Sequence, residues 1–149
     1  MKRILLASAL ILSLISIGAF ADEEAASVGA PGDPGQVSRT IEITIVDNRF
    51  KPSEINVKQG ETIKFMLKNT GKKKHEMMIG TPEELDKHAK MMKKFPDMEH
   101  PDETNMVMVD PGKTKELIWQ FTEAGTVNFE CPLPGHSKGM RGTILVGAK

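Results

Sequence analysis

The stretch Thr40-Ile41-Glu42-Ile43-Thr44-Ile45 decides the fold class. Its isoleucines alternate with polar residues, and this period of two predicts a strand with one buried face. Similar alternation recurs along the chain at Ile55 and Val57, at Ile63, Phe65 and Leu67, at Leu117, Trp119 and Phe121, at Val127, Phe129 and Cys131, and over residues 142–146. Short strands separated by turn signals predict an all-β domain, an antiparallel sandwich or barrel.

A predicted helix interrupts this pattern. Thr81 suits the N-cap, Pro82 the first helical position and Glu84 the third, an arrangement typical of helix starts. The helical pattern continues until Phe95-Pro96 ends it, near Lys94. The segment over about 80–105 is therefore predicted to be an insertion into the β-domain, with one helix rich in Met and His.

The N-terminus is typical of a secretory signal peptide. The basic start Met1-Lys2-Arg3 precedes an apolar run over 4–18 and the small-residue motif Ala19-Phe20-Ala21. That run is short for a membrane span of about 20 residues, so we expect no stable membrane anchor. The sequence therefore predicts a signal peptide over 1–21, cleaved after Ala21.

The rest of the chain divides into a linker and one domain. Residues 22–38 are acidic and rich in Ala, Gly and Pro, which predicts a flexible linker. Residues 39–149 suffice for one compact domain. Removing Lys2 and Arg3 leaves 18 basic and 20 acidic side chains. This balance argues against nucleic acid as a partner, because nucleic-acid affinity comes largely from basic residues.

One loop concentrates the chemistry. Residues 131–140 read Cys-Pro-Leu-Pro-Gly-His-Ser-Lys-Gly-Met, so the single cysteine, Cys131, shares a short loop with His136 and Met140. A second imidazole, His75, follows three lysines. Two imidazoles, a thiolate and a weak axial thioether are the donor set of a blue-copper site.

Taken together, these motifs resemble those of the cupredoxin family, the small blue-copper proteins such as azurin and plastocyanin. The Cys-x4-His-x3-Met spacing is azurin-like, and the resemblance covers about residues 40–147. It also rests on matches upstream at Asp47, Phe50, Pro52, Ile55, Val57, Gly60, Phe65 and Asn69. The resemblance implies a cupredoxin-type Greek-key β-sandwich. It also implies one copper ion, bound by His75 Nδ1, His136 Nδ1 and the Cys131 thiolate, with Met140 as the long axial ligand.

The chain departs from the family pattern after its first histidine. Glu76 stands where Asn or Ser is common, which affects the hydrogen bonds around the site. The segment from His75 to Gly80, followed by the Met-rich helix, looks most like exported cupredoxin-like proteins associated with copper tolerance in bacteria.

Two functions follow from this resemblance. The first is a periplasmic type 1 copper protein for electron transfer, which would dock a redox partner protein near His136, with Pro132, Leu133 and Pro134 forming an apolar patch. The alternative is a copper-tolerance protein that sequesters or oxidises Cu(I) and meets a copper-handling protein. Either would be a monomer.

We do not expect an enzyme. A cysteine hydrolase needs a third group to orient the base, and none is evident beside Cys131 and His136. Structural zinc usually takes four strong donors without a thioether. Multicopper oxidases need more than the four histidines present.

The methionines of the insertion permit two interpretations. They could pack the helix against the sandwich, where Met commonly fills gaps, and this is the preferred interpretation. They could instead form a second, softer Cu(I) site with one imidazole. The candidates for that site are Met77, Met78, His88, Met91, Met92, Met98 and His100, with Met106 and Met108 nearby.

Overall fold

The protein is described by a computed structural model over residues 28–149. The predicted signal peptide, residues 1–21, and linker residues 22–27 lie outside this range. The described residues form β1 (Ala30–Pro31), β2 (Arg39–Val46), β3 (Arg49–Lys51), β4 (Glu54–Lys58), β5 (Thr62–Asn69), β6 (His75–Gly80), α1 (Pro82–Lys94), β7 (Met106–Val109), β8 (Thr114–Gln120), β9 (Gly125–Glu130) and β10 (Arg141–Gly147).

The strands form two five-stranded sheets that share one hydrophobic core. The first sheet has the order β1-β8-β5-β2-β3, and the second has the order β4-β10-β9-β6-β7. Alternate residues of both sheets fill the core, including Ile43 and Phe65 from the first and Val57 and Phe129 from the second. Neighbouring strands are mostly distant in sequence, as in a Greek key, so the predicted all-β sandwich with one inserted helix is confirmed.

The sheets are mixed, whereas the alternation alone suggested antiparallel pairing. β2 pairs with β5 in parallel, and β4 pairs with β10 in parallel. β2 does not return directly to β5, because the turn at Asp47 and Asn48, both with positive φ, sends the chain into β3. The next strand, β4, then joins the other sheet.

The prediction of a flexible linker is wrong for residues 28–38. Ala30 and Pro31 pair with the edge of β8, and the amide of Ser38 donates to Thr62 O at 2.8 Å. The indole of Trp119 donates to Val28 O at 3.2 Å. These contacts cover an edge of the first sheet, so the described part of the domain begins at Val28 rather than Arg39.

The inserted helix begins and ends where the sequence predicts. The Thr81 side chain accepts from the amide of Glu84, and the Glu84 side chain accepts from the amide of Thr81, which completes a capping box. Phe95 follows the last residue and donates its amide to Met91 O. No helix in the described part of the chain is long and apolar enough to cross a membrane.

Every residue of β6 is buried because both faces of this strand are covered. Met77 and Ile79 point into the shared core. Glu76, Met78 and Gly80 alternate with them on the opposite face, where α1 packs. No strand is predicted here from the sequence, because a strand covered on both faces shows no alternation.

Candidate metal centre

The two strands that carry the predicted ligands are neighbours. His75 is the first residue of β6, and Cys131 follows the last residue of β9. β6 and β9 are antiparallel, so the start of one strand lies beside the end of the other. His136 comes from the loop between β9 and β10. The fold thus brings together three residues separated by up to 61 positions in the chain.

The three donor groups form a compact, buried cluster. One ligand atom from each of His75, Cys131 and His136 lies within 4.8 Å of the other two. Cys131 Sγ is 3.5 Å from His136 Nδ1, and the centroids of the two imidazole rings are 4.8 Å apart. The exposed fractions of the residues are 1% for His75, 0% for Cys131 and 9% for His136. His136 is therefore the ligand candidate nearest to solvent.

Backbone hydrogen bonds within the loop hold two of these groups in place. The amide of Cys131 donates to Met140 O at 2.9 Å, and the amide of Met140 donates to His136 O at 2.9 Å. Gly135 has a φ of +84°, a conformation that side chains with a Cβ rarely adopt. The loop therefore keeps its shape through its own backbone.

Asn69 fixes the segment that leads to His75. Its side-chain amide donates to Lys73 O at 2.7 Å and to Val109 O at 2.9 Å. Its side-chain oxygen accepts from the amide of Gly71. Because Asn69 is itself buried at the end of β5, it connects the first sheet to the turn that precedes β6.

Burial keeps both imidazoles neutral and the thiol protonated. Burial, with the charges of His136 and Lys73, lowers the pKa of His75 to about 4. Burial and then Lys73 also lower the pKa of His136. Burial raises the pKa of the Cys131 thiol to about 11, although backbone N–H groups of Glu76 and Leu133 lower it. The Glu76 amide lies 3.4 Å from Cys131 Sγ.

The donor atoms of this cluster are suited to binding a metal ion. His75 Nδ1 is buried and has no hydrogen-bond partner within residues 28–149. A buried polar atom without a partner is costly, and a metal ion would satisfy this one. A sulfur donor with two imidazoles suits copper or zinc among the first-row metals.

Met140 is buried at the end of the same loop. Its side chain is fully inaccessible to solvent and belongs to the hydrophobic core. Its backbone bonds to Cys131 and His136 place it beside both ligand candidates. Axial ligation by its sulfur remains a prediction.

The apolar patch expected around His136 is smaller than predicted. Pro132 and Leu133 are buried, and only Pro134 is exposed. Pro132 and Leu133 therefore pack inside the protein and do not contribute to the surface around His136.

The insertion contains a polar cluster that the sequence analysis did not predict. His88 lies 3.3 Å from Glu76, and the rings of His88 and His100 lie 4.8 Å apart. Glu103 contacts both imidazoles. The sequence grouped His88 and His100 with the methionines of the insertion, but it could not reveal the contacts of these imidazoles with Glu76 and Glu103.

Two of the methionine candidates belong to the hydrophobic core. Met77 and Met92 are fully buried there, as the packing interpretation expects. Met78 is also buried, whereas Met91 and Met98 are partly exposed.

A family model described as a cupredoxin-like domain matches residues 9–146. The chain therefore belongs to the cupredoxin-like family, as its fold and its His-Cys-His cluster indicate.

Two curated relatives carry the same name, copper-resistant cuproprotein CopI. The protein from Rubrivivax gelatinosus is 40% identical, and the match covers 87% of this chain and 79% of the relative. The protein from Pseudomonas aeruginosa is 36% identical, and the match covers 97% of each.

Solved structures with a similar fold include copper proteins from photosynthetic bacteria. The dithionite-reduced auracyanin of Roseiflexus castenholzii is 28% identical with a TM-score of 0.64, and the match covers 74% of this chain and 98% of that chain. Auracyanin A of Chloroflexus aurantiacus, a blue copper protein, is 24% identical with a TM-score of 0.61, and the match covers 72% and 98%.

Proposed function

We propose that this protein binds one copper ion at a type 1 centre and serves in copper tolerance. The observation that carries the proposal is the buried cluster of one thiol and two imidazoles. His75 and His136 would each offer an Nδ1 lone pair, Cys131 a thiolate, and Met140 a weak axial thioether. Bound copper would supply a centre that cycles between Cu(I) and Cu(II), because soft sulfur suits Cu(I) and imidazole also suits Cu(II).

The visible absorption spectrum of the Cu(II)-loaded protein tests the centre directly. An intense thiolate-to-copper band is expected for the wild type and should be absent from a Cys131→Ala variant. The matched control is Ser137→Ala, which changes the same loop without removing a donor. If the wild type bound copper without this band, a type 1 centre would be ruled out.

Copper tolerance is supported by the names of the relatives, which match most of this chain. The protein would hold Cu(I) away from other targets or allow its oxidation, acting as a binder rather than an enzyme. The test is growth of a Pseudomonas aeruginosa strain that lacks its own relative. The wild-type gene should restore growth in copper, and the Cys131→Ala gene should not.

Electron transfer is the second candidate, and it was the preferred one from sequence. It is supported by the fold shared with auracyanins and by the position of His136 nearest to solvent. A redox partner would then dock over His136 and Pro134. Failure of the wild-type gene to restore growth in copper, despite a normal thiolate band, would favour this role over copper tolerance.

We also propose that the protein acts as a periplasmic monomer after cleavage at Ala21. The basis is the sequence pattern of residues 1–21. Mass measurement of the secreted protein should give a chain beginning at Asp22, and light scattering should give the mass of one chain.

A further inference from the structure

A second cluster of metal-ligating side chains lies within the insertion. His88 is on α1, with a side chain 5% exposed, and the side chain of His100 is 9% exposed. The Glu103 carboxylate lies between them. Its Oε1 is 3.3 Å from His100 Nδ1, and its Oε2 is 3.9 Å from His88 Nδ1. Glu103 thus contacts one nitrogen of each imidazole, and the three side chains come from two segments.

Glu76 is positioned to orient one of these imidazoles. Its side chain is fully buried, and its Oε1 lies 3.3 Å from His88 Nε2. The other ring nitrogen of His88, Nδ1, lies 3.9 Å from Glu103 Oε2. Histidines that bind metal ions usually have such a carboxylate or carbonyl partner behind them.

The carboxylates of the cluster favour a cation. The Glu76 side chain is fully buried and the Glu103 side chain is 38% exposed, and a carboxylate removed from water is costly without a cationic partner. His100 Nε2, the ring nitrogen that does not contact Glu103, is also buried and has no hydrogen-bond partner in the described part of the chain. A surface pocket lined by Lys74, His100 and Met108 gives access to this ring.

We propose that His88, His100 and Glu103 form a second metal site, for a divalent transition-metal cation such as Cu(II) or Zn(II). Two imidazoles and a carboxylate are donors that zinc accepts, and imidazole suits Cu(II) equally. Cu(II) should bind more tightly, because the affinity of such sites is highest for this ion. The donors differ from the thioethers and single imidazole of the Cu(I) site that the sequence left as the alternative to packing.

The number of metal ions bound per chain tests this proposal. The mature protein is dialysed against Cu(II) or, separately, Zn(II) with a weak competing chelator, and the bound metal is measured. We expect two equivalents for the wild type and one for a His100→Ala/Glu103→Ala variant. The matched control is Glu99→Ala/Asp102→Ala, which alters two exposed acidic residues of the same segment and should retain two. Separate dialyses distinguish Cu(II) from Zn(II).

The thiolate-to-copper band keeps the two sites distinguishable. It should persist in the His100→Ala/Glu103→Ala variant, which also shows that the variant folds. If the band were lost in that variant, Glu103→Gln would replace it in the test, because glutamine has a similar shape and the Glu103 side chain is partly exposed. This variant should bind the second metal ion at least about 10-fold more weakly. A wild type that holds one equivalent, or a Glu103→Gln variant that keeps the second at full affinity, would overturn the proposal.

Discussion

Cys131 is a thiol that must lose a proton before it can bind a metal ion. Cys131 belongs to the hydrophobic core, and burial raises the pKa of its thiol to about 11. Burial has the opposite effect on the imidazoles: it lowers the pKa of His75 to about 4 and also lowers the pKa of His136. At neutral pH the metal-free centre therefore holds one proton to displace, on sulfur.

Copper binding should accordingly release about one proton per ion between pH 7 and pH 8. Because the thiol is protonated and both imidazoles are neutral throughout this range, affinity should rise about 10-fold per pH unit. Calorimetric titration in buffers of different ionisation enthalpy measures the proton count, and Cys131→Ala is the control that should release none. Release of two or three protons would mean that the histidines are protonated, contrary to their lowered pKa values.

Met140 offers a separate test at the residue scale. Met140→Leu should retain copper, because the three stronger donors remain, but it should change the absorption spectrum and raise or lower the reduction potential. The swap conserves volume, so its cost in unfolding free energy should stay below about 1.5 kcal/mol. The control is Met92→Leu, which changes a buried methionine on α1 and should leave the spectrum unaltered. An unchanged Met140→Leu spectrum would assign Met140 to packing alone.

The residues of the candidate centre could be predicted only in part. His136 and Met140 share a loop with Cys131, so spacing alone associated them. His75 depended on the family resemblance, and the structure places it at the cluster. The contact between Glu76 and His88 joins a strand to a helix, and no local pattern encodes such a contact.

At the scale of elements, α1 covers one face of the second sheet, so that β6 is buried on both sides. Its capping box fixes the start of the helix, and its buried face, Leu85, His88, Ala89 and Met92, lies against the sheet. Gly80 permits this close packing, since an added Cβ would lie 3.2 Å from the Glu84 side chain. The helix therefore isolates Glu76 and Met78 from solvent.

Two neighbouring methionines on α1 allow packing and metal binding to be tested separately. Met92 is fully buried and Met91 is partly exposed. Met92→Ala should lower the unfolding free energy by about 2–5 kcal/mol, as expected for a buried large-to-small change. Met91→Ala should cost less than about 1 kcal/mol. Denaturant unfolding measures both.

The number of copper ions bound per chain tests whether Met91 or Met92 is a metal ligand. If these methionines serve packing, neither variant should lose a copper equivalent at saturation. Loss of one equivalent in Met91→Ala, with little change in stability, would instead support the thioether Cu(I) site predicted as the alternative from sequence.

Two of the elements that the sequence missed, β6 and β1, share a physical reason. β6 has no alternation because both of its faces are covered, and β1 has two residues and gains order only from pairing with β8. In both, tertiary contacts determine the conformation, whereas the periodic strands β2 and β5 carry their own signal.

At the scale of the whole molecule, the candidate centre connects parts of both sheets. Asn69 extends from the first sheet to the segment before His75, while Cys131 and His136 belong to the second sheet and its loop. Glu76 lies between the two polar clusters, because its amide contacts Cys131 Sγ and its carboxylate contacts His88. A metal ion at the first centre would therefore restrain the end of the sandwich.

Copper should stabilise the entire domain, since the unfolded chain cannot keep His75 and residues 131–140 together. At free copper about 100-fold above the dissociation constant, the gain should be about 2.7 kcal/mol, and the melting temperature should rise by roughly 10 °C. Scanning calorimetry of the copper-loaded and chelator-treated protein measures this shift. Cys131→Ala is the control and should lose most of it, whereas Ser137→Ala should keep it. Equal melting temperatures with and without bound copper would mean that the ion binds folded and unfolded chains alike, which a centre assembled from distant segments does not permit.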